Sequence, residues 1–374
     1  VDGRANRGVA KGETMDDYAR LRELLQCHPA GAPAGEEIDE ILRILFTPAE
    51  VKVAVGMGFA LRSPDRIAAE AGVTAEEVRA RCEAMADKGI IFSSRRDADT
   101  HYALLPTIPG LFEFPFMTGG GTETHLRLAK LWERYHQASL GREFAASPTP
   151  LTRVLPIEAA LPESRNEPLP YEIISGMLSK NETFALAECA CRVSLGRCDQ
   201  PRDVCLIFDK TGRYLIERKL AREITREQAV EVVRRAEEAG LVHMTNNSQD
   251  RLNLICNCCP CCCTLLRGRT ELEIPSAFAV SRYVAASDPD ECIGCGVCAE
   301  ERCPMDAIEV DDFAVVDPAR CIGCGVCTTT CPTDAMKMQP RAGAIEPPTT
   351  TTEMAMKVLA EKGRLEPFLK LMKK

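Results

Sequence analysis

Aromatic residues are scarce in this chain, at 5% of 374 residues with a single tryptophan, and histidine occurs only five times. His28, His101, His125, His136 and His243 are scattered, and none stands in a nucleophile motif, so imidazole-based acid–base chemistry has no support. A dinucleotide-binding GxGxxG run and a P-loop are both missing. The nearest candidate, GGGTETH at 119–125, lacks the preceding strand and the Lys-Ser/Thr ending, which leaves flavin, nicotinamide and nucleotide binding without a signal. No uninterrupted apolar run approaches the length of a membrane span. The chain also opens without a charged and then apolar leader, so a reducing cytoplasm is the expected compartment.

Cysteine is what the chain has in excess: 20 residues, eight of them in two near-copies, CIGCGVCAEERCP at 292–304 and CIGCGVCTTTCP at 321–332. Each copy supplies three thiols at two-residue gaps and a later Cys followed by Pro. Such gaps let one tight loop present three sulfurs to three irons of one cube, and the interleaved glycines allow turns that a side chain would block. The fourth thiolate has to come from elsewhere.

This run resembles the two-[4Fe–4S] bacterial ferredoxins, in which the last Cys of each copy crosses to the other cluster. The resemblance implies one cluster on Cys292, Cys295, Cys298 and Cys331, and a second on Cys321, Cys324, Cys327 and Cys303. Four residues separate Cys298 from Cys303 where the usual run has three, and the extra one is expected in the short helical turn. Between Asp288 and Pro340, eleven acidic residues face three basic ones, which accounts for most of the net charge of −9. An acidic surface of this kind suits docking to a basic redox partner.

Ten further cysteines fill CACRVSLGRCDQPRDVC at 189–205 and CNCCPCCC at 256–263. A structural zinc knuckle is the plain alternative, but its pairs usually have two-residue gaps, whereas Cys189 and Cys191, and Cys256 and Cys258, are one apart. One or two additional [4Fe–4S] clusters are therefore expected in this region. Cys189, Cys191, Cys198 and Cys205 form the first candidate set, and the second draws on Cys256, Cys258, Cys259, Cys262 and Cys263. The neighbouring cysteines of CCPCCC cannot all face one metal, because adjacent side chains diverge, so some are expected to be spectators. Arg192, Arg197 and Arg202 would offset cluster charge. Cys82, on an apolar helix face, and Cys27, beside His28, read as structural thiols.

The periodicity predicts an α+β chain in several parts. Residues 1–36 contain a helix near Asp16–Gln26 and end in the linker-like PAGAPAG; residues 37–110 read as helices and a hairpin turning at Asp97–Asp99, the order of a winged-helix domain. Residues 111–170 hold a long helix with Trp132 and a proline-rich extended stretch; 171–286 form a mixed, cysteine-rich central region with a capped helix at 225–239. The ferredoxin-like module occupies 287–340, and 341–374 is read as a flexible connector and one amphipathic helix. Residues 37–340 as a whole resemble the 4Fe–4S dicluster-binding proteins of anaerobic bacteria and archaea, which implies electron transfer without specifying a reaction.

The expectation is thus a non-catalytic iron–sulfur component that relays single electrons, working as a subunit or partner of an anaerobic oxidoreductase complex. A redox-sensing DNA regulator is the rival, opposed by nine basic against thirteen acidic residues over Glu36–Pro106. A reductase with a catalytic central cluster is the third reading. The N-terminal domain is expected to dock a protein or dimerise.

Overall fold

In the computed structural model the described residues are 16–96, 99–161 and 171–373, and they form a mixed α+β arrangement. Five helices, Asp17–Gln26, Glu36–Leu45, Pro48–Ala54, Pro64–Ala71 and Ala75–Asp87, lead into an antiparallel hairpin of β1 (Ile91–Arg96) and β2 (Asp99–Leu104). Local chemistry fixes their starts. Thr47 Oγ1 accepts from the Glu50 amide while Glu50 Oε2 accepts from the Thr47 amide, and Pro48 follows with no N–H to waste. Ser63 and Thr74 cap the next two helices through their hydroxyls alone, which accept from the Arg66 and Glu77 amides. A bridge between Arg62 and Tyr102 adds a third short strand beside the hairpin. The expected hairpin turn falls partly on residues 97 and 98, outside the described residues.

PAGAPAG is not an exposed linker. Ala30 and Ala32 are fully buried, and the run's carbonyls are taken by distant partners: Gly31 O by Thr107 Oγ1 at 2.7 Å, and Pro33 O by the Tyr135 hydroxyl at 2.7 Å. Leu21 and Leu25 of the first helix share a core with Ile38, Leu42, Trp132 and Tyr135, so no boundary separates the N-terminal extension from the helices after it. Small residues without long side chains let this backbone lie inside the core, provided its polar groups are paired.

Residues 123–144 are helical almost throughout, from Glu123–Tyr135 into Gly141–Phe144. The centre is a six-stranded antiparallel sheet of β3 (Thr152–Leu155), β4 (Phe184–Ala187), β5 (Cys205–Phe208), β6 (Arg222–Ile224), β7 (Val242–Asn246) and β8 (Leu254–Cys258), in the order β3-β7-β8-β5-β4-β6. The proline-rich stretch thus contributes an edge strand. Helix Arg226–Glu238, with the expected Thr225–Gln228 capping box, buries Ala229, Val232, Val233 and Ala236 in the core it shares with β4 and β5.

The C-terminal module pairs β9 (Tyr283–Ser287) with β12 (Met336–Pro340), and β10 (Ile308–Val310) with β11 (Ala314–Val316). One apolar core joins it to the sheet and a second fills its interior. One contains Val154, Val242, Met244, Cys258 and Cys263 together with Met305, Ala307, Ile322 and Cys324; the other lies inside the module around Tyr283, Ile308, Cys327 and Met336.

The terminal segment also departs from expectation. Two helices, Thr351–Glu361 and Leu365–Lys373, replace the single one, with the break at Gly363. The connector before them is held in place, since Pro347 O and Pro348 O accept from Gln249 at 2.7 and 3.0 Å.

Candidate metal centres

In the C-terminal module, Cys292, Cys295, Cys298 and Cys331 line one apolar pocket with Val297, Val310, Ala314 and Met336. Cys321, Cys324, Cys327 and Cys303 gather beside it: Cys321 and Cys303 are among the charges that hold both the Cys324 and the Cys327 thiols up, after burial. The chain thereby brings together the two crossed quartets that the ferredoxin resemblance implies. Backbone amides point at the sulfurs, Ala314 N at Cys292 Sγ (3.4 Å), Ala307 N at Cys303 Sγ (3.2 Å) and Met336 N at Cys331 Sγ (3.5 Å). The wide helical turn Cys298–Arg302 absorbs the extra residue. Gly323, at φ +70°, lies so close to Tyr283 O and Ser281 Oγ that any Cβ would overlap both. Four thiolates, amide donors aimed at sulfur and an apolar wall suit a [4Fe–4S] cube, so the donor chemistry fits.

The central cysteines divide differently from the expected sets. β8 runs Leu-Ile-Cys-Asn-Cys, and strand alternation puts Cys256 and Cys258 on one face. The register Leu206↔Ile255 then sets Cys205 of β5 beside Cys256. Cys189 and Cys191, around the start of helix Ala190–Leu195, and Cys263, before helix Thr264–Thr270, complete the group. These six thiols line a single pocket, which Cys259 also borders, closed by Ile108, Met117, Val204 and Leu265 with the half-buried Glu113 on its wall. Neighbouring sulfurs and burial push up four of these thiols: Cys189 through Cys191, Cys258 through Cys256 and then Cys263, Cys205 through Cys256, and Cys191 through Cys263 and burial against the downward pull of Cys189. Burial pushes the Glu113 carboxyl up to about 8.

Cys198 stands apart from this ring. Its sulfur lies 3.8 Å from those of both Cys259 and Cys262, and with Cys261, which belongs to neither set expected from the sequence, these sulfurs all fall within 4.8 Å of one another. Each central cysteine thus lies in the ring of six or in this quartet. Arg192, 1% exposed, reaches between the two groups, with Nη1 3.4 Å from Cys259 Sγ and Nη2 2.9 Å from Asn257 O. Arg197 instead pairs with Glu133 and Glu271, both at 3.2 Å, and the Arg202 carbonyl accepts from the Cys189 amide at 2.7 Å.

The remaining candidates are structural. His243 is buried between Asn257 Oδ1 (2.6 Å) and Glu237 Oε1 (3.2 Å). His28 packs at a tilt against Phe59 with ring centroids 4.8 Å apart, and burial pulls its pKa down to about 3. Cys82 is fully buried, with its thiol pushed up to about 12 by burial.

Residues 291–335 match the family model of the 4Fe-4S dicluster domain, which supports a ferredoxin-like dicluster module at that end of the chain. No curated protein and no solved structure matches the chain. Among the described residues, no helix is long and apolar enough to cross a membrane.

Proposed function

We propose that this chain relays single electrons through three iron–sulfur stations: the six-cysteine pocket, then the quartet Cys303, Cys321, Cys324 and Cys327, then the quartet Cys292, Cys295, Cys298 and Cys331. A bound [4Fe–4S] cluster supplies one-electron chemistry at a potential set by its surroundings. The observation that carries the order is the continuity of packing. Cys256, Cys258 and Cys263 of the pocket share one apolar core with Cys303, Cys321 and Cys324, and the next core holds Cys303, Cys321 and Cys327 with Cys292, Cys298 and Cys331. Packed side chains exclude water between stations and hold their spacing.

The far end is built to meet a partner. Cys295 is exposed, and around it Ile293 (66% exposed), Phe313 and Val315 break the surface beside Asp290, Glu291, Asp311 and Asp312. Apolar groups ringed by one sign of charge favour transient docking of a basic redox protein, as in an anaerobic oxidoreductase complex. Six thiols exceed the four that a [4Fe–4S] cube takes, so each iron of a cube held here can have a cysteine ligand, which favours relay over reductase catalysis at the centre.

The N-terminal helices and hairpin, with the Arg62–Tyr102 bridge, fit a winged-helix arrangement, but their use in DNA binding is disfavoured by where their charges go. On helix Ala75–Asp87, which would enter the groove in a DNA-binding winged helix, Arg79 pairs with Asp99 at 2.9 Å and Arg81 with Glu77 at 2.8 Å. Arg218 from the central region clamps Glu83 and Asp87, and the Tyr214 hydroxyl donates to Ile91 O at 2.7 Å. This region serves as a buttress for the sheet.

The test is transfer to a basic acceptor. Cytochrome c should be reduced by the dithionite-reduced, desalted chain, and Cys295→Ala should remove most of that rate while the central iron–sulfur signal remains reducible by dithionite. An undiminished rate in the variant would rule out exit through this quartet.

A further inference from the structure

We infer that Cys198, Cys259, Cys261 and Cys262 hold a single four-coordinate metal ion, zinc(II) or iron(II), and not a cube. This goes beyond the relay and does not depend on it. A tetrahedral ion with metal–sulfur bonds of about 2.3 Å holds its sulfurs about 3.8 Å apart, whereas a cube seats each sulfur on a different iron and spreads them to roughly 6 Å. The contacts from Cys198 to Cys259 and to Cys262 are 3.8 Å. The chain supplies its own yardstick. Among the described residues, this quartet is the sole group of three or more Cys, His, Asp or Glu ligand atoms drawn within 4.8 Å of one another, although all eight cysteines of the ferredoxin-like module are described. No three thiols of the ferredoxin-like module draw as close together as these four.

The surroundings suit a tetrathiolate. Four thiolates on a divalent ion carry two negative charges, and the buried Arg192 guanidinium lies 3.4 Å from Cys259 Sγ. The Arg197 backbone amide also donates to the Cys262 sulfur. Its side chain meanwhile ties the Cys198 loop to Glu133 on helix Glu123–Tyr135 and to Glu271. The separation is too long for a disulfide, whose sulfurs sit about 2.05 Å apart.

The site also gives the loop a reason to be where it is. Residues 196–204 have no regular secondary structure, yet the segment ends at Val204 on the wall of the six-cysteine pocket. An ion joining Cys198 to the 259–262 turn would pin this segment beside the pocket. Cys259 and Cys262 are buried while Cys198 and Cys261 reach the surface, so the ion would sit at the rim.

The experiment is metal and sulfide analysis of the full chain purified under argon, beside Cys198→Ala and Cys261→Ala. The expected result is one zinc, or one iron unaccompanied by sulfide, per wild-type chain, lost in each variant with sulfide content unchanged. Elemental analysis separates the two metals. Because the variants themselves can misfold, the wild type is also read directly: zinc by a K-edge absorption spectrum with one sulfur shell and no metal–metal shell, iron by a high-spin ferric resonance after oxidation. Loss of iron and sulfide together in the variants would overturn the inference. So would a wild-type chain with neither the zinc spectrum nor the ferric resonance, or one with a Cys198–Cys259 disulfide by mass spectrometry.

Discussion

Arg192 is the residue on which most of the central chemistry converges, because a full positive charge is buried between two groups of thiols. At about 5 Å and an effective dielectric near 20, such a charge is worth roughly 3 kcal/mol to an added electron, or about 130 mV. Arg192→Gln should therefore lower the midpoint potential of the central iron–sulfur signal by about that amount in a spectroelectrochemical titration; an unchanged potential would remove Arg192 from the tuning of the site. Gly323 is a second such point. Gly323→Ala should cost the chain about four iron atoms, since the Cβ collides with the Tyr283 carbonyl and displaces Cys321 and Cys324. His136 is buried, and desolvation draws its pKa down to about 4 from 6.5. The folded chain keeps this ring neutral while the unfolded chain protonates it below pH 6.5, so stability is lost as pH falls from about 6.5 toward 4. About 1 kcal/mol should go between pH 7 and 5.5, and His136→Gln should flatten that part of the denaturant-midpoint profile. At this scale the eight cysteines of the ferredoxin-like module are legible in the sequence, because two-residue gaps encode a loop geometry. The ten central ones are not, because their partition depends on which face of β8 each occupies and on a loop some fifty residues earlier in the chain. The alternation in Cys-Asn-Cys does carry part of the answer, placing Cys256 and Cys258 on one face of β8.

Elements follow the sequence where a local signal fixes them and diverge where tertiary contacts decide. Thr47, Ser63, Thr74 and Thr225 all cap the helices that their positions predict. The terminal helices do not follow a simple amphipathic reading, because their polar side chains are spent on this chain. Lys362 Nζ donates to Pro29 O at 2.9 Å and pairs with Glu143, Arg364 joins the same carboxylate at 2.7 Å, and Glu361 accepts from the Thr149 amide at 2.9 Å. Phe368 packs 6.0 Å from Phe59, and Arg62 Nη2 donates to Leu371 O at 3.2 Å. The segment is thus a clasp across the N-terminal core and not a free partner-binding arm. Leu359, fully buried, should cost about 2–5 kcal/mol when changed to Ala, read as a fall in thermal midpoint. Removing residues 350–374 should cost more, and a deletion that left the thermal midpoint unchanged would return the segment to the role of a loose arm.

Over the whole molecule, an N-terminal helical buttress supports a central sheet whose cysteine-bearing face is continuous with the ferredoxin-like module, and the acidic end of that module faces outward. Charge at this end should govern encounter. Replacing Asp311 and Asp312 by Lys should slow reduction of cytochrome c at low salt, and the difference should shrink as ionic strength rises. The relay rests above all on a third cluster in the six-cysteine pocket, and acid-labile sulfide reports it most directly, since neither zinc nor mononuclear iron contributes sulfide. Under argon, the wild type should contain about twelve sulfides per chain, falling to about eight when Cys256 and Cys263 are both changed to Ala. A wild-type chain with about eight, unchanged in that variant, would contradict a third station and leave the ferredoxin-like module as the whole of the electron path.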